Sequence, residues 1–273
     1  AQVPIRQGEL DRVPHGQHQV GVGVFLRFPG SRLGGECQAR AARPLDDVRL
    51  HDGFLHYARR ESGRNLAMID DYITWLRRQP GMAEAADTDH GVGCNSLMAR
   101  PWDKPEAYHP TNWVVSEAIE WFHRRDPTDP FFLYLSFHRP HAPFDPPSWA
   151  LEQYLAEDLP PAPVGDWVDD LAEFRVDFRA ESSFGAQHPD VRRRALAGYY
   201  GSITHIDFQV NRLMEVLSDF GLRENTAVLF VSDYGDMMGD PQFYRKTVGY
   251  EGSARVPFLV RLPGGPRGSS EGG

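Results

Sequence analysis

Cysteine is nearly absent from this 273-residue chain, which has only Cys37 and Cys94. Two thiols do not make a disulfide framework, so they leave the redox compartment open. Long apolar runs are also missing, and none approaches the ~18 residues of a membrane span. The first residues lack a basic stretch followed by an apolar core, so no secretory signal is read there. Positive charge is in deficit: 29 Lys and Arg stand against 38 Asp and Glu, for a formal net charge of −9. That balance argues against general binding to nucleic acid or a membrane surface, although it leaves room for one cationic cleft. No internal repeat is present. The remaining composition is ordinary for a globular protein, 41% hydrophobic, with length for one large α/β domain.

Residues 1–45 carry Gly, Arg and Pro in no evident period, around one strand-like segment, VGVGVFLRF. Cys37-Gln38-Ala39-Arg40 there reads as a free structural thiol. From Leu45 the texture becomes that of ordered protein. Asp47, His51 and Asp52 make a polar cluster whose plain reading is a solvated loop. Leu66, Ile69, Ile73 and Leu76 recur at spacings of three, four and three, which predicts an amphipathic helix ended by Pro80-Gly81. Residues 83–111 form a long polar loop with Trp, Tyr, Cys and scattered His, a composition that favours an ordered functional loop. Thr111 or Asn112 is positioned to cap a helix with apolar face Val114, Val115, Ala118, Ile119 and Phe122, stopping before Asp126-Pro127.

The run PFFLYLSF then reads as a strand covered on both faces. It ends at His138-Arg139-Pro140-His141-Ala142-Pro143, where the prolines exclude a helix and present the histidines on a stiff loop. Residues 151–190 read as an acidic, proline-rich surface excursion with a short helix near 167–174. Ile203, Ile206, Val210, Leu213 and Leu217 predict a further helix with Gly221 as its C-terminal cap. A second apolar strand, residues 227–231, follows directly and ends at Ser232-Asp233-Tyr234-Gly235. The order strand, helix, strand predicts parallel pairing through a right-handed crossover. A loop with Asp236, Asp240, Arg245 and Lys246 leads to a last apolar run, residues 256–260. A strand-end acid followed by cations suggests a site for an anionic substrate with a metal, since α/β sheets bind ligands at the carboxyl ends of their strands.

Three blocks, FFLYLSFHRPHAPFDPP, RALAGYYGSITHIDFQVNRL and SDYGDMMGD with RKTVGYEGSARVPFLV, together resemble the sulfatase family of the alkaline-phosphatase superfamily, in that family's order, over residues 46–261. The resemblance implies an alkaline-phosphatase-like three-layer sandwich with a mostly parallel mixed sheet, here lacking part of the N-terminal core and the C-terminal subdomain. It implies hydrolysis of small-molecule or carbohydrate sulfate monoesters at a calcium (Ca2+) site by a formylglycine nucleophile. Asp233 matches the family's metal-binding acid, Lys246 its sulfate-binding lysine, and His141 the histidine near the sulfate and the leaving oxygen. The chemistry suits each role: carboxylate oxygens for a hard cation, a lysine for an oxyanion, and a histidine for a departing oxygen.

The chain also departs from the family pattern. Tyr234 stands where sulfatases usually place Asn or His as the next metal ligand, and Pro241 where relatives often have His. No Cys/Ser-x-Pro/Ala-x-Arg segment occurs, so no nucleophile is assigned, and no paired aspartates end an early strand. Gly23-Val24-Phe25-Leu26 holds the place of the family's Gly-Lys-x-His. Residues 1–45 therefore read as replaced or translated from a shifted frame. Residues 46–262 read as a partial catalytic domain and 263–273 as a flexible end. The first residue is Ala rather than Met, and the chain reads as a fragment. The expectation is a sulfatase-family hydrolase, weak or inactive as it stands. The alternatives are a phosphate or phosphonate ester hydrolase of the same superfamily, and a non-catalytic binding protein on this fold.

Overall fold

The computed structural model describes residues 17–18, 22–27, 46–51, 71–86, 89–93, 95–161, 182, 184–185, 187–239, 242–246 and 248–264, with backbone alone before residue 71. Three strands come first: β1 (Gln17–His18), β2 (Val22–Arg27) and β3 (Asp46–His51). Helix α1 (Asp71–Leu76) follows, then α2 (Pro110–Arg124) and β4 (Phe131–Ser136). The chain continues through α3 (Ser148–Leu155) and the long α4 (Pro189–Asp219) into β5 (Thr226–Val231). It closes with β6 (Gly235–Asp236), α5 (Glu251–Ala254) and β7 (Phe258–Arg261).

The main sheet has the order β3-β4-β2-β5-β7. It is mixed, as the resemblance implies, but its hydrogen-bonded neighbours are mainly antiparallel. Among the described strands of this sheet only β3 and β4 pair in parallel. β4 and β5 do run the same way, as the strand-helix-strand order requires, yet β2 lies between them and pairs antiparallel to both. Direct β4–β5 pairing is therefore corrected. Register brings the functional ends together: His51 is level with Ser136, and Ser136 and Val231 are both level with Val22. The carboxyl ends of β3, β4 and β5 thus share one edge of the sheet.

The core lies between this sheet and α2 and α4. Phe131, Leu133 and Leu135 of β4 are buried against Trp113, Val114, Val115, Ala118 and Phe122 of α2 and Ile206, Leu213 and Leu217 of α4. Full burial of each such aliphatic or aromatic side chain stabilises the fold by roughly 1.5–3 kcal/mol. No described helix is long and apolar enough to cross a membrane.

Local chemistry sets the helix ends. At α2 the N-cap is His109 rather than Thr111 or Asn112: its Nδ1 accepts the Thr111 N–H at 3.1 Å, and Pro110 occupies the first turn. A neutral imidazole nitrogen does here what a cap hydroxyl usually does, and Pro at that position has no N–H left to satisfy. The predicted C-terminus holds, since the Arg125 N–H bonds back to Trp121. α1 covers only the end of its predicted helix; residues 66–70 lie outside the described residues. α4 begins 14 residues earlier than Ile203, at Pro189, with His188 as its cap. Its end is as predicted: Gly221 at φ 66° allows Leu222 N–H to reach Leu217 O (2.8 Å) and Gly221 N–H to reach Ser218 O (2.9 Å). Those paired bonds make a Schellman motif. The predicted helix near 167–174 lies outside the described residues.

Candidate active site

Two loops leave the shared sheet edge. The first follows β4 and carries His138, Arg139, His141 and Asp145. Its main tie is a fork: Arg139 donates from Nε to Asp145 Oδ1 (2.8 Å) and from a terminal nitrogen to Asp145 Oδ2 (2.7 Å), with both residues buried. The remaining terminal nitrogen of Arg139 donates to His138 Nδ1 at 3.1 Å. The His141 N–H bonds to His138 O (3.1 Å), and the two imidazole rings sit 4.9 Å apart. His141 is buried, and its Nδ1 lies 2.8 Å from Ala142 O. A carbonyl only accepts, so His141 carries its proton on Nδ1 and a lone pair on Nε2.

Burial lowers the His141 pKa, and the Lys246, Arg139 and Arg245 charges lower it further against the Ala142 bond, to about 4. For Asp145, burial alone favours the neutral acid. The Arg139 guanidinium and the bonds from His90 and Arg139 overcome it, so the carboxyl titrates well below its usual range.

The second loop follows β5. Asp233 is exposed at the strand's end and accepts the Tyr234 N–H at 3.0 Å. Lys246 Nζ lies over the Tyr234 ring, 3.5 Å from its centroid, a cation–π contact. Between them the backbone takes left-handed conformations at Met238 (φ 45°), Gln242 (φ 73°) and Arg245 (φ 69°). Such positions cost free energy in non-glycine residues and persist only when surroundings fix them. The buried Asp236 carboxylate does so, with Oδ1 accepting from Met238 N–H and Arg245 N–H at 2.9 Å each. Burial raises the Asp236 pKa, against those two bonds and the Arg245 and Lys246 charges.

The long loop expected to be ordered braces both arms. His90 Nε2 lies 3.0 Å from Asp145 Oδ2, while its Nδ1 accepts the Val92 N–H; the proton is therefore on Nε2. Arg100 N–H and Trp102 N–H bond to Phe144 O (3.1 Å) and Pro146 O (3.0 Å). From the other arm, the Arg245 guanidinium donates to Asn95 O. Behind Asp145 lies His109, 3.9 Å from its Oδ1, and then His205, whose ring is 4.7 Å from that of His109.

Helix α4 packs close to this assembly at two glycines. A Cβ on Gly198 would come within 2.8 Å of Ala99 Cβ and 2.9 Å of Phe144 Cβ; one on Gly201 would lie 2.9 Å from Ala150 O. An exposed mid-helix Gly→Ala change normally stabilises by up to ~1 kcal/mol. Gly198→Ala is expected to reverse that sign and destabilise by roughly 1–3 kcal/mol through overpacking. Urea unfolding checks it, and a variant as stable as the parent contradicts the close approach.

Of the sequence-predicted residues, Tyr234 and Lys246 touch, and His141 lies within the influence of Lys246. Asp233 stays at the surface. Asp47 and His51 are on β3, but their side chains, like Asp52, Cys37, Cys94, Asp240 and Pro241, lie outside the described residues. No three His, Cys, Asp or Glu groups gather to hold a metal among the described residues. An exposed carboxylate beside a neutral phenol that is covered by a lysine does not fit a calcium site by itself; further oxygen donors are required. Sequence reasoning missed the Asp145 fork, the buried His90, His109 and His205, and the role of Asp236. The signal for the fork was in HRPHAPFD, where Arg and Asp flank a proline-stiffened turn.

An α/β sheet with cations and an imidazole at its carboxyl edge defines the class of α/β proteins that bind an anionic ligand there. The phosphonate monoester hydrolase of Agrobacterium radiobacter is similar in structure, with a TM-score of 0.59 and 26% identity over 71% of this chain and 42% of that one. The Sulfatase family model matches residues 51–272, and the chain belongs to the sulfatase family. It is 44% identical over 252 residues to an arylsulfatase of Clostridium perfringens, covering 91% of this chain and 50% of that protein. Residues 46–273 alone could not supply that share, so the likeness runs into the first 45 residues. It is 29% identical over 178 residues to the iduronate 2-sulfatase of Mus musculus, covering 59% and 32%. The chain spans half the length, or less, of these relatives.

Proposed function

We propose that this chain carries the anion-binding part of a sulfuric ester hydrolase, with Lys246 holding the sulfate group and His141 beside the leaving oxygen. The observation behind the reading is a convergence from two strand ends: Lys246 and Arg245 from one loop and Arg139 from the other act on one buried, neutral imidazole. A sulfate monoester brings negative charge into that field. It offsets the cations and moves the His141 pKa upward, turning Nε2 from an acceptor toward a donor as the ester arrives. A calcium ion at Asp233 would add Lewis-acid stabilisation of the sulfuryl oxygens, with ligands beyond those described. No formylglycine-type nucleophile is assigned in this chain, and weak or absent turnover is the expectation for it. The substrates are small-molecule or carbohydrate sulfate esters.

Calorimetric titration of the chain with 4-nitrophenyl sulfate tests the reading. Saturable binding is expected, weakened about tenfold or more in Lys246→Ala, a loss of ~1.4 kcal/mol or more. No binding, or equal binding by the variant, overturns it. The structural likeness to a phosphonate monoester hydrolase favours a second reading, a phosphonate or phosphate ester hydrolase. A parallel titration with a phenyl phosphonate monoester decides between them by which ester binds more tightly.

A further inference from the structure

We propose that Asp236 is a positioning residue for Lys246: by tying together the backbone at the two ends of loop 238–245, it sets where the lysine leaves that loop and so how it meets the ester. The proposal deepens the sulfate-ester reading and rests on it for the ester contact alone. Its structural part stands on bonds to the main chain, and it holds whatever else the Arg245 and Lys246 side chains touch.

β6 ends at Asp236, and left-handed backbone follows at Met238 (φ 45°) and again at Arg245 (φ 69°). A residue in that conformation breaks a strand ladder, so its N–H needs an acceptor from elsewhere. Asp236 Oδ1 is that acceptor for both residues, at 2.9 Å each, and the carboxylate is buried. One oxygen thereby holds the two ends of the loop together. Arg245 is held on its other side as well, because the Met237 N–H donates to its carbonyl at 3.0 Å. That carbonyl lies in the same planar peptide unit as the Lys246 nitrogen. With its N–H on Asp236 and its C=O on Met237, Arg245 has both flanking peptide planes fixed, and the second of them launches Lys246. The lysine Nζ then rests 3.5 Å from the centroid of the Tyr234 ring.

Other anchors hold different parts of the loop. Gly239 N–H to Phe243 O and Gln242 N–H to Gly239 O, 2.7 Å each, close its tip. Buried Met238 and Tyr244 seat two of its side chains among Leu97, Ala99 and Tyr199. The Arg245 guanidinium reaches Asn95 O and braces the loop from its side chain. Asp236 alone among these bonds fixes the Arg245 N–H. That role needs an acceptor oxygen at this place, not a charge: Asn supplies the oxygen, Leu does not, and both remove the same charge.

Amide hydrogen exchange of the parent chain is the first test and needs no variant. The Met238 and Arg245 amides should exchange about a hundredfold or more slower than in an unstructured chain. Free exchange at either one overturns the clamp. The second test compares Asp236→Asn with Asp236→Leu, or with Asp236→Ala where Leu does not fold. Lys246 is one of the charges that lower the His141 pKa to about 4, so a displaced lysine shows in the His141 ring titration, read by NMR and assigned with His141→Asn. Asn should leave that titration near the parent's, and Leu should move it upward. Equal titrations in the two variants overturn the positioning role, which a loss of global stability alone would not separate from a structural one. Binding of 4-nitrophenyl sulfate should follow the same order, with Asn within about threefold of the parent and Leu about tenfold weaker. Leu binding as tightly as Asn overturns the consequence for the ester. If the parent itself binds no sulfate ester, the sulfate reading falls and that consequence with it, while exchange and the His141 titration still decide what Asp236 holds.

Discussion

Arg139→Met is expected to destabilise the chain by about 3–5 kcal/mol, a large share of a typical domain's stability. The guanidinium is the main counter-charge of Asp145, which is fully buried. Removing it leaves a carboxylate with only the His90 bond and a desolvation cost no longer offset. The variant's Asp145 should then titrate upward from its depressed value, so the deficit shrinks as pH falls. The double variant Arg139→Met with Asp145→Leu should recover much of the loss, because a buried pair is costlier to break than to replace. Arg139→Lys keeps the charge but not the fork and should fall between. Urea unfolding of the four chains at pH 7.5 gives the comparison. A single variant within about 1 kcal/mol of the parent, as for an exposed pair, would show that this fork does not lock the loop.

Much of this arrangement was legible because period and punctuation agree with the fold. The apolar run of β4, the three-four spacing of α4 and the Gly221 cap each state a local rule that the tertiary structure leaves in place. His141, Lys246 and Tyr234 were singled out by resemblance, and the structure brings Lys246 onto Tyr234 and within electrostatic reach of His141. Pairing of β4 with β5 was misread because nothing in either strand records that β2 separates them. β2 falls in the strand-like segment VGVGVFLRF, but its place in the sheet is decided by register across two partners. The His109 cap was hidden by its residue type, since imidazole is a rare acceptor at a helix start and hydroxyl or amide neighbours were the natural choice. Burial hid the rest. Asp145 and Asp236 look like solvated acids in sequence. Only the folded chain shows one caught in a guanidinium fork and the other tying down a strained loop.

Mild acid should unfold this protein early. His109, His141 and His205 are all buried in neutral form. Burial is the largest cause for each, and the folded pKa values fall well below 6.5 for His109, to about 4 for His141 and to about 3 for His205. His109 is lowered further by His205, and His205 by Arg139 and Arg212 against the Asp145 charge. In the unfolded chain these imidazoles titrate near ~6.5. The unfolded state therefore binds more protons between that value and the folded ones, and stability falls as pH falls through the window. Above ~6.5 the contribution is complete. Below it, three unshared protons correspond to roughly 4 kcal/mol per pH unit, so pH 5 should remove several kcal/mol relative to pH 7.5. Asp236, whose burial raises its pKa, acts in the opposite sense, one group against three histidines. Urea midpoints at half-unit steps test the slope, and a flat profile from pH 7.5 to 5 would contradict it. His109→Asn sharpens the test, because an Asn side chain still caps α2 but does not titrate. It should keep the parent's stability at pH 7.5 to within ~1 kcal/mol and reduce the acid slope by about a third. An unchanged slope in that variant would place the lost protons elsewhere than on the histidines behind Asp145.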